Sequence, residues 1–219
     1  MNALAIDHLV IGARTLDEGV AWCEATLGAR PTGGGKHALM GTHNRVMSIA
    51  SAALPRAYLE IIAIDPQAPH PGRTRWFDLD SPAMQAVLAQ GPRLVHWVAR
   101  CEDIDACCAR LREAGIDRGE VLGAQRETER GLLRWRISVR PDGARLFDGA
   151  LPTLIQWTHE HPVDGMCDSG VHLQRLEIGG LPATAQAVCS APGVRFADGP
   201  PTLAAILSTP QGEVRLTTC

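Results

Sequence analysis

Lysine is nearly missing from this chain: among 21 Lys and Arg residues in a length of 219, Lys36 is the only lysine. Basic residues do not outnumber acidic ones either, because 24 Asp and Glu leave a formal net charge of −3. That balance offers no general attraction to nucleic acid or to an anionic membrane, so neither partner is expected. A long apolar run is absent, as is a basic segment leading into an apolar one, and no membrane span or leader is expected. The seven cysteines contain no CxxC pair. An odd, scattered set reads as reduced thiols packed in a core, in a cytoplasmic protein. Hydrophobic content of 45% and charge of 21% are ordinary for a folded chain. The length allows one large domain or two small modules with a shared core.

What the sequence does contain is a repeat. Asp7-His8-Leu9-Val10-Ile11 is followed by Leu16-Asp17 and an amphipathic stretch. Val95-His96-Trp97-Val98-Ala99 is followed, at the same interval, by Ile104-Asp105 and a second one. Each copy reads as a strand with an early histidine, a short turn and a helix. Thr15 and Asp17 are candidate caps of the first helix and Gly28 its stop, while the second runs over 103–114 and stops at Gly115. A pseudo-twofold arrangement can bring His8 and His96 face to face, which makes them candidate metal ligands.

The remainder of each copy fills out a βαβββ unit. In the first, a glycine cluster, Gly33-Gly34-Gly35, precedes Lys36-His37 and Gly41-Thr42-His43-Asn44. Glycines permit close backbone approach to a ligand, so His37, His43 and Asn44 are candidates to line a cleft mouth and hydrogen-bond a polar substrate. The competing reading is a glycine-rich turn with surface histidines. Strands over 45–49 and 58–64 follow. Glu60 interrupts the second of them and shares a face with Tyr58, Ile62 and Ile64. A carboxylate buried there must be paired or bound to a cation.

A connector over 66–92 carries Pro66, Pro69, Pro71 and Gly72, then a short helix opened by Ser81-Pro82 and ended by Gly91-Pro92. The second unit, 93–160, continues with strands over 132–139 and 154–158, and Gln156 falls where Glu60 stands in the first. Trp97, Trp135 and Trp157 read as core or cleft wall. His70, His159 and His161 read as surface residues. The tail, 161–219, reads as a partial third module: a strand over 173–179, a helix over 182–190 and a hairpin around Gln211-Gly212. Arg175 and Arg215 stand there in place of His8 and Glu60, so the tail extends the sheet or covers an edge.

Asp-His-Leu-Val, Gly-Thr-His-Asn and Leu-Glu-Ile-Ile in this order resemble the vicinal oxygen chelate superfamily, and residues 33–44 resemble its glyoxalase-like domain branch. The resemblance covers residues 5–158 and implies an α+β fold. In it, paired βαβββ modules, 1–65 and 93–160, form a curled, open, barrel-like sheet, with the tail packed on the same domain. It further implies metal ligands from the first and last strands of each module: His8, Glu60, His96 and Gln156. Such nitrogen and oxygen donors suit Zn²⁺, Ni²⁺, Mn²⁺ or Fe²⁺. An amide at position 156 cannot take a proton, which leaves Glu60, helped by His37, as the catalytic pair. Trp97 joins His37, His43 and Asn44 as a substrate contact. The expected function is a divalent-metal-dependent lyase or isomerase acting on a small oxygenated metabolite, with a dioxygenase disfavoured because the second module lacks the carboxylate. The alternative is a metal-free small-molecule binding or drug-sequestering protein. A homodimer is compatible with either.

Overall fold

Period-two alternation in the central strands sorts side chains onto two faces, and the fold is built on that division. The computed structural model describes residues 4–128 and 130–218. The first unit comprises β1 (Ala5–Gly12), α1 (Leu16–Leu27), β2 (Gly33–His37), β3 (Thr42–Ser48) and β4 (Tyr58–Ile64). After the connector helix α2 (Pro82–Leu88), the second comprises β5 (Arg93–Arg100), α3 (Ile104–Glu113), β6 (Glu120–Thr128), β7 (Gly131–Val139) and β8 (Thr153–Trp157). Thr15, Ser81 and Asp103 cap the three helices by accepting from the backbone N–H groups of Glu18, Met84 and Ala106. Gly28 closes α1 in the left-handed region at φ 70°.

The strands form one sheet in the order β2-β3-β4-β1-β5-β8-β7-β6. β1 and β5 pair antiparallel at its centre, with Leu9 opposite Trp97 and Val10 opposite His96. That register relates the two units by a pseudo-twofold axis. The sheet curls until its edges nearly meet: Arg126 on β6 donates from Nη1 to Asn44 Oδ1 on β3 at 3.3 Å. Leu9, Ile11, Leu59, Ile61, Trp97 and Leu154 point outward into the main core, with α1, α3 and the tail. Burying each large side chain of this kind stabilises the fold by roughly 1.5–3 kcal/mol. Val10, Ile62, Val98, Ile137 and Ile155 point inward, against Trp76, Phe77 and Leu79 of the connector.

The tail contributes β9 (His172–Gly179), α4 (Ala183–Cys189), β10 (Val194–Ala197), β11 (Thr202–Thr209) and β12 (Gly212–Thr217). Its element order repeats βαβββ, but its sheet runs β10-β9-β11-β12, so β9 pairs with the second strand where β1 pairs with the last. It joins the first unit through Leu173 N–H, which donates to Ile49 O at 2.8 Å.

Three features differ from the expectation. The Gly33-Gly34-Gly35 run, a turn in the competing reading, is part of β2 and paired with β3. Gly34 adopts φ +152° with Asn44 O only 2.1 Å from where a Cβ would sit, so no other residue fits. β6 is a further strand, half-exposed and polar, without the apolar alternation that reveals its partner β7. His161 is buried, 3% exposed, rather than a surface residue. Cys23, Cys101, Cys107, Cys108 and Cys189 are buried free thiols and Cys167 is exposed; Cys219 lies outside the described residues. Among the described residues no helix is long and apolar enough to cross a membrane.

Candidate active site

The inner face of the first unit carries a chain of buried polar groups. His8 projects from β1, and its Nδ1 lies 2.8 Å from Asp7 Oδ1. On its far side, Nε2 lies 3.5 Å from Glu60 Oε2 on β4. All three residues are nearly inaccessible. Asp7 receives further donors at its second oxygen, from Trp157 Nε1 at 3.0 Å and His161 Nε2 at 2.9 Å. Tyr58 stacks on the His8 ring with centroids 4.5 Å apart.

Asn44 organises the other side of Glu60. Its amide nitrogen donates to Glu60 Oε1 at 2.6 Å and faces His37 Nε2 at 3.3 Å. Its oxygen accepts from Gly35 N–H at 2.8 Å and from Arg126 Nη1. Every donor and acceptor of the amide is thereby engaged, which fixes its orientation. His37 Nε2 then accepts and Nδ1 carries the proton, directed at Thr42 Oγ1 at 3.1 Å.

Charge follows from these contacts. Burial pulls the His8 imidazole down, but the hydrogen bonds to Asp7 and Glu60, with their charges, overcome it and hold it up at about 9. Burial pushes Glu60 up, and the His8 hydrogen bond and charge outweigh it, leaving the carboxyl at about 2. Asp7 is likewise held below the usual carboxylate range: burial raises it, and the bonds to His161 and His8 lower it further. Burial takes His37 down to about 4, so it is neutral. At neutral pH the site therefore presents a Glu60 carboxylate against a His8 imidazolium backed by Asp7.

His8, His37, Asn44 and Glu60 form the polar wall of a narrow cavity. Its remaining lining is largely aromatic, from Tyr58, Trp76, Phe77, Trp135 and Trp157, with Arg126 as a half-buried cation. Phe77 and Asp78 hold φ at 61° and 59°, a region costly for residues other than glycine. Asp78 N–H donates to Gly143 O at 3.0 Å and Asp78 Oδ2 takes Arg145 Nε at 2.8 Å, which pins the connector inside the cup.

Of the expected site residues, His8, Glu60, His37 and Asn44 meet here. His43, one residue from Asn44, points to the opposite face, beside Asp65. Trp97 is buried in the outer core, its Nε1 donating to Ala150 O at 2.8 Å. Gln156 also takes the outer face, where its Oε1 accepts from Ile104 N–H and its Nε2 donates to Glu102 O at the start of α3. His96 does face inward, but its Nδ1 donates to Gly149 O at 3.1 Å. Its Nε2 accepts from Thr153 N–H at 3.1 Å and lies 3.0 Å from Thr153 Oγ1. Thr153 pairs with Val98 as Glu60 pairs with Val10, so the register counterpart of Glu60 is Thr153 and not Gln156.

A four-ligand metal centre does not fit this arrangement. The imidazole nitrogen that His96 would offer is taken by Thr153, and Gln156 faces away. Among the described residues no group of three or more His, Cys, Asp and Glu side chains is placed to hold a metal ion. His8 and Glu60 are the two expected ligands that meet, and they neutralise each other. The contributors with no role in the sequence reading are Asp7, Trp76, Phe77 and Arg126, while His161, expected at the surface, is a buried partner of Asp7. Asp7 stands beside His8 in the repeat, and a carboxylate inside an otherwise aliphatic strand was the one available signal.

Comparison with known proteins places this geometry in context. A family model described as a glyoxalase-like domain matches residues 6–189. No curated protein matches the sequence. Among solved structures, a hypothetical protein from Staphylococcus aureus is 16% identical, with 80% of this chain and 69% of that one covered and a TM-score of 0.54. The methylmalonyl-CoA epimerase of Mycobacterium tuberculosis is 18% identical over 70% of this chain and 86% of its own, with a TM-score of 0.40. A methylmalonyl-CoA epimerase in complex with methylmalonyl-CoA and NH4+ is 20% identical, over 73% and 98%, with a TM-score of 0.45. The first likeness shows the fold alone, and the two epimerases are too distant to carry an argument.

Proposed function

Because the chain belongs to the glyoxalase-like domain family of the vicinal oxygen chelate superfamily, we propose that its aromatic cavity takes a small oxygenated organic molecule and moves a proton on it. The single observation that carries this reading is the buried ion pair of His8 and Glu60, at 3.5 Å, on the cavity wall. A pocket apolar on most sides, with a few convergent polar groups, is of the kind that holds small ligands. Perturbed, coupled acid and base groups facing it are the equipment of proton transfer.

The step is an enolisation. A substrate carbonyl oxygen accepts the His8 Nε2–H and draws it from Glu60. Glu60 then loses the bond that most lowers it, and burial raises its basicity. Its Oε2 takes the proton from the carbon beside the carbonyl, and the electron pair moves onto the carbonyl oxygen. The imidazolium holds that oxyanion and Asp7 holds the imidazolium. Delivery of that proton from Glu60 to the former carbonyl carbon, with the neighbouring hydroxyl proton passing to the former carbonyl oxygen, completes an isomerisation; its return to the carbon it left gives only exchange with solvent. Arg126 supplies positive charge for a second oxygen of the substrate. No step passes through a metal, since the donor set does not fit one.

The experiment is proton–deuterium exchange, followed by NMR, over a panel of small 2-oxo acids, hydroxyketones and α-oxoaldehyde adducts. Glu60→Gln keeps the side-chain shape and is expected to slow exchange by about 100-fold or more. Exchange at equal rates in both proteins removes Glu60 as the base. The aromatic wall favours a second reading, a binding protein. It is distinguished by a ligand that quenches tryptophan fluorescence equally in both proteins and is never turned over.

A further inference from the structure

The second unit buries a cation that has no counter-ion among the described residues. Arg118 is 3% exposed, and its Nη2 donates to Thr153 Oγ1 at 2.6 Å. Its Nε and Nη1 are buried and have no hydrogen-bond partner among the described residues. A guanidinium stays charged in a protein interior, and buried donors left unmade are costly. Such a group calls for an acceptor that carries negative charge.

Around Arg118 lies a second, narrow cavity, also lined by His96, Ser138, Arg140, Arg145 and Thr153, and by no Asp or Glu. Arg145 and Arg140 stand half-exposed at its rim, each held by its own carboxylate. Arg145 Nε bonds Asp78 Oδ2 at 2.8 Å, and Arg140 Nε bonds Asp142 Oδ1 at 3.0 Å. Those anions restrain the two rim arginines and leave Arg118 unanswered. Ser138 Oγ accepts from Leu154 N–H at 3.0 Å, so its hydroxyl proton is available to a further acceptor. His96 is neutral, pulled well below its ordinary value first by burial and then by the charges of Arg118 and Arg145. The stacked Trp76–Phe77 pair lines both cavities, but they share no polar residue.

We propose that this second cavity binds a small oxyanion, a carboxylate or a phosphate group, received by Arg118 Nε and Nη1 and by the Ser138 hydroxyl, with Arg140 at the mouth. The fork of a guanidinium matches two oxygens of one such group. The site is separate from the Glu60 cavity and stands whether or not Glu60 moves a proton.

Calorimetric titration of the full chain with inorganic phosphate and with acetate, at constant ionic strength, tests it. The expected result is saturable binding of one anion per chain, with Arg118→Met weakening it at least about tenfold and Glu60→Gln leaving it unchanged. Tighter phosphate identifies a phosphate ester as the natural group, and tighter acetate a carboxylate. Absence of saturable binding by either anion overturns the proposal, as does an Arg118→Met protein that binds like the wild type. Should Arg118→Met not fold, the rim variant Arg140→Gln replaces it: weaker binding supports the site and unchanged affinity overturns it.

Discussion

Thr153 stands to His96 as Glu60 stands to His8: Thr153 Oγ1 lies 3.0 Å from His96 Nε2, and Glu60 Oε2 lies 3.5 Å from His8 Nε2. The pseudo-twofold axis thus relates a charged pair to a neutral one. A hydroxyl in place of a carboxylate leaves His96 an uncharged acceptor and Arg118 without an anion among the described residues. The two halves of the cup have diverged into an anion-bearing half and a cation-bearing half.

Stability should peak near pH 6.5. Folded His8 keeps its proton to about 9 while an unfolded histidine loses it near 6.5, so stability falls as pH rises between those values. Folded His37 refuses a proton down to about 4 and His96 is also lowered, so stability falls as pH drops below 6.5. Glu60 adds to the acid limb below 4.5. Counted once for the His8–Glu60 pair, the alkaline limb amounts to roughly 3 kcal/mol. Urea unfolding from pH 5 to 9, a range around the ordinary histidine value, reads it. A flat profile above 6.5 contradicts the charged state assigned to His8.

Gln156→Leu should leave proton exchange and any metal content as in the wild type. Its amide bonds the start of α3, through Ile104 N–H and Glu102 O. Loss of those bonds costs about 1 kcal/mol, visible in thermal unfolding. A variant that loses bound metal or exchange activity places Gln156 in the site after all.

Thr153→Val preserves shape and removes the hydroxyl that Arg118 and His96 share. The expected destabilisation is roughly 1–3 kcal/mol, because both buried partners lose a bond. Denaturant titration measures it, and a change within error would mean that water replaces the hydroxyl there.

Gly34→Ala should destabilise by more than about 1 kcal/mol and also slow exchange. A Cβ at position 34 meets Asn44 O at 2.1 Å, and the displaced strand takes Gly35 N–H from Asn44 Oδ1. Asn44 is what holds Glu60 Oε1 in place. Normal stability with normal activity would show that β2 can shift freely.

Much of this was legible in the repeat. His8 and His96 at matched points announced the paired units, and Glu60 within Tyr58–Ile64 announced a buried partner. Gln156 misled because the expected strand, 154–158, leaves out Thr153, the first residue of β8. The backbone register instead aligns Glu60 with Thr153. Parity then decides the rest, since Gln156 shares the outward face with Leu154. The same parity separates His43 from Asn44 and Trp97 from His96. Arg126 escaped notice because β6 is an exposed edge strand, whose polar residues carry no period-two signal. Trp76 and Phe77 lie in a proline-rich connector whose path into the cup depends on left-handed backbone at Phe77 and Asp78, which no local pattern foretells.

The most direct test is the protonation state of His8 in the full chain, read by nitrogen-15 NMR of the imidazole against pH. The expected result is an imidazolium at neutral pH that titrates near 9, and a lower value in Glu60→Gln. A neutral His8 at pH 7, or a titration unchanged by Glu60→Gln, would contradict it.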